Sequence, residues 1–490
     1  MKQRGFFLLM AGLVGTAIFV ARPVRAGAPP RVPSDAWMGL YLAGQKMGYL
    51  HLTVDKASFE GKDCYKVRTL MRTKMVLLGA SVQQDVDIAV YTNERFSPLF
   101  ETFEMSSGGS KTVIEARFGD KDINCRVSTG ESKSSKTVPI PPGASLIGDS
   151  MYALGTDKVE VGRKAKMHYF NPMTLAVEPV EVEVLRTEQV EVKGKTYDTF
   201  VLKNATPMGD VTTWQTEDGT IVKSVAILGL TMLIESPEEA MAGVDSGYTP
   251  PADLAAVSSV KANIDIPKPR DVRKLVIRLS GNLDPKMAIT DVRQKAKWTG
   301  NADGSGLAEY AIESAAFDRK KSVKRPVRSE KLRTYLEPTP YLQSAAPEIR
   351  TKAAEIVGEE TSAYGAASKI RAWVHGNMKP QADIGIARPA ADVLRSKVGV
   401  CRDYAVLFAS LARASGIPTK VVAGIVYMNG KFYYHAWAES YVGEWVPFDA
   451  TLDHNFVDAT HIKLAEGDAT NMFDMARAFG SLKAEIVRFE

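Results

Sequence analysis

Between Trp37 and about Glu235 apolar and polar residues alternate almost without a break, and nothing else in the 490 residues limits the fold so strongly. Runs such as Trp37-Met38-Gly39-Leu40-Tyr41-Leu42 and Val180-Glu181-Val182-Glu183-Val184 have a period of two, which sends successive side chains to opposite faces of a strand. Glu60-Gly61-Lys62 and Lys193-Gly194-Lys195 supply tight turns. The pattern predicts a β-rich N-terminal domain over 36–235, built as a curved antiparallel sheet or partial barrel. Pro139-Ile140-Pro141-Pro142-Gly143 interrupts the meander and marks either a subdomain boundary or one long connection. Trp37, Tyr41, Tyr49 and Trp214 read as strand core and not as ligand-stacking surface.

A chain this long exceeds one ordinary core, so further domains are expected. Residues 236–260, rich in Pro, Gly, Asp and Ala and carrying Pro250-Pro251, read as a linker. Residues 261–330 form a small β-rich module, with strand-like Lys274 to Leu279 and Leu307 to Ile312 and a turn at Asn301-Ala302-Asp303-Gly304. Its basic tail, Arg319-Lys320-Lys321 with Lys324, Arg325 and Arg328, reads as a solvated inter-domain segment in preference to a contact for an anionic partner. Within 335–490, Pro347 opens a helix with Ile349, Ala353, Ile356 and Val357 at helical spacing, and Ala367, Ile370, Trp373 and Val374 give the next its core stripe. The expected class is α+β multidomain. A charge of +5 is too dilute for nucleic-acid binding.

Lys2 and Arg4 precede the apolar run Phe6 to Val20, and Val24-Arg25-Ala26 resembles a cleavage site, so 1–26 reads as a signal peptide. The run is short for a span of about 20 residues, and no later stretch is long enough. The expected location is periplasmic or secreted, with an uncleaved anchor as the alternative and no membrane span after signal removal. Export gives meaning to the three cysteines: Cys64 and Cys125 are the candidates for a disulfide, and Cys401 is left over.

Cys401 sits in Val398-Gly399-Val400-Cys401-Arg402-Asp403-Tyr404, directly before the helical face Ala405, Leu407, Phe408, Leu411 and Ala412 that stops at Gly416. A helix opening at the cysteine favours the thiolate, because its N-terminal amides and dipole attract an anion. The same amides suit the oxyanion of a tetrahedral intermediate. Two strand-like runs follow around Asn429-Gly430, a hairpin signal, with His435, Trp437 and Glu439 on one face of the second. A tight turn at Gly443-Glu444 would bring Trp445-Val446-Pro447-Phe448 and Asp449 beside that hairpin. A thiol, an imidazole and a carboxylate in this order are the parts of a cysteine nucleophile, its proton acceptor and the group that orients the ring.

These runs, with Tyr434-His435-Ala436-Trp437-Ala438-Glu439, Ala414-Ser415-Gly416-Ile417-Pro418 and the downstream Thr460-His461-Ile462-Lys463-Leu464, resemble the transglutaminase-like superfamily, itself distantly similar to papain-type proteases. The resemblance spans roughly Tyr341 to Asp468. It implies a helix packed on an antiparallel sheet, with Cys401 as nucleophile, His435 as general base and acid, and Asp449 as orienting carboxylate. Ala450 departs from the proline that such domains commonly place after the aspartate. His375 is not among the residues it makes catalytic and reads as structural.

The expected activity is attack on an amide bond of a peptide or protein through a thioester, with hydrolysis (peptidase or amidase) slightly favoured over transfer to an amine. The alternative is a non-catalytic envelope binding or assembly protein that uses this domain as a scaffold, the β-rich region holding an envelope partner. No Cys-x-x-Cys pair marks a zinc site and no acidic loop has calcium spacing, so neither metal nor cofactor is expected.

Overall fold

The alternating segment folds as one continuous sheet. The structure, a computed structural model, describes residues 34–77, 79–148, 159–244, 253–300, 305–314, 317–382 and 387–490. The signal segment, Pro250-Pro251 and Asn301 to Gly304 lie outside them. The chain divides into two units, one ending at Leu254 and one running from Ala255 to Glu490.

In the first unit fourteen described strands make a single antiparallel sheet. Eight run as a meander from Ser34–Leu42 to Ser132–Pro139 and six from Lys164–Asn171 to Thr231–Glu235. The last strand returns to the first, Trp37 opposite Glu235. Met38, Leu40 and Leu42 form the buried parity of the first strand, continued by Leu50, Leu52 and Val54 on the next. Trp37, Tyr41, Tyr49 and Trp214 are therefore not core: they take the other parity and are half-buried. Trp37 stacks on His51 there, with centroids 3.9 Å apart. Residues 144–148, after Pro139–Gly143, run in the connection toward the second set of strands. They lie along the Lys164–Asn171 edge, where Ile147 N donates to His168 O (3.0 Å) and His168 N to Ser145 O (2.9 Å), covering backbone groups that an open edge would expose.

Neither Cys64 nor Cys125 is in a disulfide. They stand on strands four places apart in the sheet, roughly 19 Å along it, which no disulfide bridges. Burial, with Glu101 nearby, pushes the Cys125 thiol up to about 12, so both serve as small apolar filler.

In the second unit the helices Pro347–Val357, Ala363–Asn377, Ala390–Ser396 and Cys401–Ala414 pack together. The last also lies on a sheet ordered Val260–Lys261, Lys431–Tyr441, Thr419–Met428, His461–Gly467, with Trp445–Phe448 paired to the end of Lys431–Tyr441. Residues 401–413 are buried on every side of their helix, more than the one apolar face visible in sequence requires. A second sheet is ordered Gln294–Trp298, Gly306–Glu313, Lys274–Gly281, Lys483–Phe489. Arg325, from the basic tail read as solvated, instead caps helix ends: it donates to Gly358 O (3.1 Å), Glu360 O (2.7 Å) and Ser415 O (3.3 Å). No helix among the described residues is long and apolar enough to cross a membrane.

Candidate active site

The site begins with the turn that delivers Cys401. Gly399 has φ +156°, and a Cβ there would stand 2.5 Å from the Asp403 carboxylate, so glycine is required. Asp403 accepts from Val400 N at 2.9 Å, holding the entry to the helix, and is itself buried beside Arg388 at 3.3 Å. Cys401 is consequently the first helical residue, where the helix dipole presents its positive end.

The imidazole comes from the sheet. Asn429 (φ 51°) and Gly430 (φ 79°) make the left-handed two-residue turn, and the resulting register sets His435 opposite Gly424. A side chain at Gly424 would collide with Ile462 O and the Trp437 ring. Trp437, two residues on and on the same face, lies 6.0 Å from the His435 ring at 23°. The return strand pairs Phe448 with Ala438, which leaves Asp449 just past its end. His435 Nε2 and Asp449 Oδ2 are 2.7 Å apart. Cys401 is near enough to the same imidazole to contribute to its electrostatics.

Electrostatics favour a charged ring. Burial opposes the imidazolium, but the Asp449 carboxylate outweighs it and, with a contribution from Cys401, raises His435 to about 10. Burial likewise opposes the Asp449 charge, yet His435 and His461 hold the carboxyl well below its ordinary range. Asp449 Oδ1 accepts from Thr451 N (2.8 Å) and Thr451 Oγ1 (2.6 Å).

Residues 350–450, which hold this trio and two of the helices that pack beside it, match the model of the transglutaminase-like superfamily. The C-terminal domain is transglutaminase-like. Residues 38–230 match a second family, described as a protein of unknown function (DUF3108). Among solved structures, the chain is similar to a candidate cysteine protease from Cytophaga hutchinsonii, 20% identical, over 45% of this chain and 86% of that one, with a TM-score of 0.32. It is also similar to a candidate protease from Parabacteroides distasonis, 11% identical, over 74% of this chain and 69% of that one, with a TM-score of 0.20. No curated protein matches.

The transglutaminase-like domain thus brings Cys401, His435 and Asp449 together, all at most 1% exposed. His375 stays apart, its Nδ1 3.3 Å from Ala450 O. A further histidine enters: His461 Nε2 is 3.3 Å from the same Asp449 Oδ2. In sequence it is only one residue of a downstream strand. Three groups here, on His435, Asp449 and His461, offer atoms within 4.8 Å of one another, but hydrogen bonds between them already engage these atoms. A second acidic group, Asp291, Glu439 and Glu466, converges on the Lys463 ammonium, with Glu439 at 2.7 Å and Glu466 at 2.8 Å.

Proposed function

We propose that this chain is a cysteine-nucleophile enzyme that cleaves amide bonds of peptides or proteins. The observation that carries the reading is the His435 ring, 2.7 Å from the Asp449 carboxylate and under the influence of Cys401, which opens a helix. His435 Nδ1 takes the thiol proton, and the sulfur attacks the carbonyl carbon near the positive end of the helix, which favours the oxyanion. The C–N bond breaks, the amine leaves with the proton from His435, and a thioester remains. Water then attacks, passing its proton to His435, and the thiolate is released with the acid product. Hydrolysis is the preferred outcome and transfer to a second amine the lesser one. The N-terminal pattern of Lys2, Arg4 and Phe6 to Val20 supports an exported enzyme, periplasmic or secreted.

One observation favours a second reading: Cys401 is fully buried, as a scaffold cysteine would be. In that reading the protein is a non-catalytic envelope binding or assembly factor. Alkylation of Cys401 by iodoacetamide, followed against pH by mass spectrometry in wild type and His435→Ala, separates the two. Fast alkylation persisting well below about pH 8.5, and lost in His435→Ala, supports the enzyme. Slow alkylation in both proteins, following an ordinary thiol, supports the scaffold.

A further inference from the structure

The tripeptide Asp449-Ala450-Thr451 recurs as Asp458-Ala459-Thr460, and the two copies are built alike. In each, the threonine amide and hydroxyl both donate to Oδ1 of the aspartate: Thr451 N at 2.8 Å, Thr460 N at 2.9 Å, with both Oγ1 atoms beside them. In each, Oδ2 is left to face a histidine. Asp449 has His435 Nε2 at 2.7 Å, and Asp458 has His461 Nδ1 at 3.3 Å. The pairs are joined, because His461 Nε2 also reaches Asp449 Oδ2 at 3.3 Å. The Trp437 ring meets His461 edge-on at 5.4 Å. His435, His461 and Asp458 are fully buried and Asp449 is 1% exposed.

The second pair is also anchored. Arg270 Nη1 donates to Asp458 Oδ2 at 2.6 Å. Arg293, itself buried, donates through Nη2 to Asp458 O at 2.7 Å and His461 O at 2.8 Å. Gln294 adds a bond from Nε2 to Lys463 O at 2.9 Å. Three side chains from 270–294 therefore hold the start of the His461–Gly467 strand and the loop before it.

We propose that His461 is a positioning residue for the catalytic carboxylate, donating Nε2–H to Asp449 Oδ2, and that Arg270, through Asp458, and Arg293, through the backbone of Asp458 and His461, hold its strand there. The inference rests on the triad reading above. A carboxylate offers about four lone-pair sites. Two donors from Thr451, one from His435 and one from His461 fill them, which removes the freedom of the carboxylate to turn away from His435. Misplacement of a catalytic group by about 1 Å can cost on the order of a hundredfold.

The test compares His461→Gln, which keeps an N–H donor, with His461→Leu, which keeps bulk without one, in the full chain. The probe is iodoacetamide alkylation of Cys401 near neutral pH, with thermal unfolding followed alongside. We expect the Leu variant to react roughly tenfold to a hundredfold more slowly than wild type and the Gln variant to recover most of the rate. Equal rates in all three proteins, or equal losses in both variants, overturn the positioning role while the triad reading stands. A wild-type thiol with no His435-dependent acceleration removes both. Should His461→Leu fail to fold, histidine ¹⁵N NMR of the wild type decides: a proton on His461 Nε2 supports the proposal, and a bare Nε2 overturns it.

Discussion

In the N-terminal sheet, ion pairs mostly bridge neighbouring strands at the surface: Arg68 with Asp87, Arg72 with Asp85, Lys166 with Glu181. In the 255–490 unit the principal pairs are interior: Lys463 with Glu439, Arg270 with Asp458, Arg388 with Asp403, His435 with Asp449. A buried ion loses several kcal/mol of hydration, so an interior pair is weak evidence of stabilisation and better evidence that a charge is needed in one place. The exception sharpens the contrast. Glu235, buried in the N-terminal unit, is met by Lys46, Lys193 and Tyr41, and these outweigh the burial that opposes its charge. It clamps the strand that closes the sheet order onto the first. In the 255–490 unit one buried pair is His435 with Asp449 itself.

The largest effect expected is at Asp449. Asp449→Asn leaves the shape but removes the charge that keeps His435 protonated, and activity or Cys401 alkylation at neutral pH should fall by roughly 10³- to 10⁴-fold. The NMR titration of His435 should drop from about 10 to near or below its ordinary value, since burial then acts without its counterweight. A His435 midpoint that does not move would show that the Asp449 charge is not coupled to His435.

Next in size is Lys463→Met. It leaves Asp291, Glu439 and Glu466 facing one another with Lys420 and Arg293 as the remaining cations near them, and breaking one side of a buried pair costs about 3–5 kcal/mol. Urea unfolding should register this as a lowered midpoint, and a change below about 1 kcal/mol would mean that the cluster is wetter than its burial implies. The same logic sets the pH dependence of stability. Asp449, Asp458, Asp291 and Glu466 are held below their ordinary ranges, for Glu466 by Lys463 and Lys420 against burial. Their contribution is full above about pH 5 and is lost as pH falls through the lowered values. His435 works in the other direction: its folded value is raised to about 10, so its contribution is full below about pH 6.5 and lost as pH rises through 10. Circular dichroism against pH should therefore show losses on both flanks.

The placement of Cys401, His435 and Asp449 is legible in sequence because each carries a local signature: a helix start at Cys401, a hairpin dipeptide before His435, a short return strand before Asp449. The N-terminal sheet is legible because period two survives any arrangement of its strands. The fourteen-strand order is not, since a turn signal tells which strands are sequential but not that Thr231–Glu235 returns to Ser34–Leu42. The strands Gln294–Trp298 and Lys483–Phe489 bury too few side chains to show a period. His461 needs a contact across two strands of the sheet, which no local pattern encodes. Its one readable trace is the repeated Asp-Ala-Thr, and that gains meaning only when both copies are seen to leave an Oδ2 for a histidine.

The smallest effect belongs to the surface of the N-terminal sheet and tests the other side of the comparison. Arg68 reaches Asp87 with two bonds, Nε to Oδ1 at 3.0 Å and Nη2 to Oδ2 at 2.7 Å, a geometry as good as any in the interior. Its side chain is nevertheless 43% exposed, so water already solvates most of what the pair gains, and salt screens the rest. Arg68→Ala should cost no more than about 0.2–1 kcal/mol, with the smaller value at high salt. A loss comparable to that of Lys463→Met would mean that hydrogen-bond geometry, and not desolvation, decides what a charge is worth in this protein. The distinction between the two units would then have to be drawn from the donors around each carboxylate.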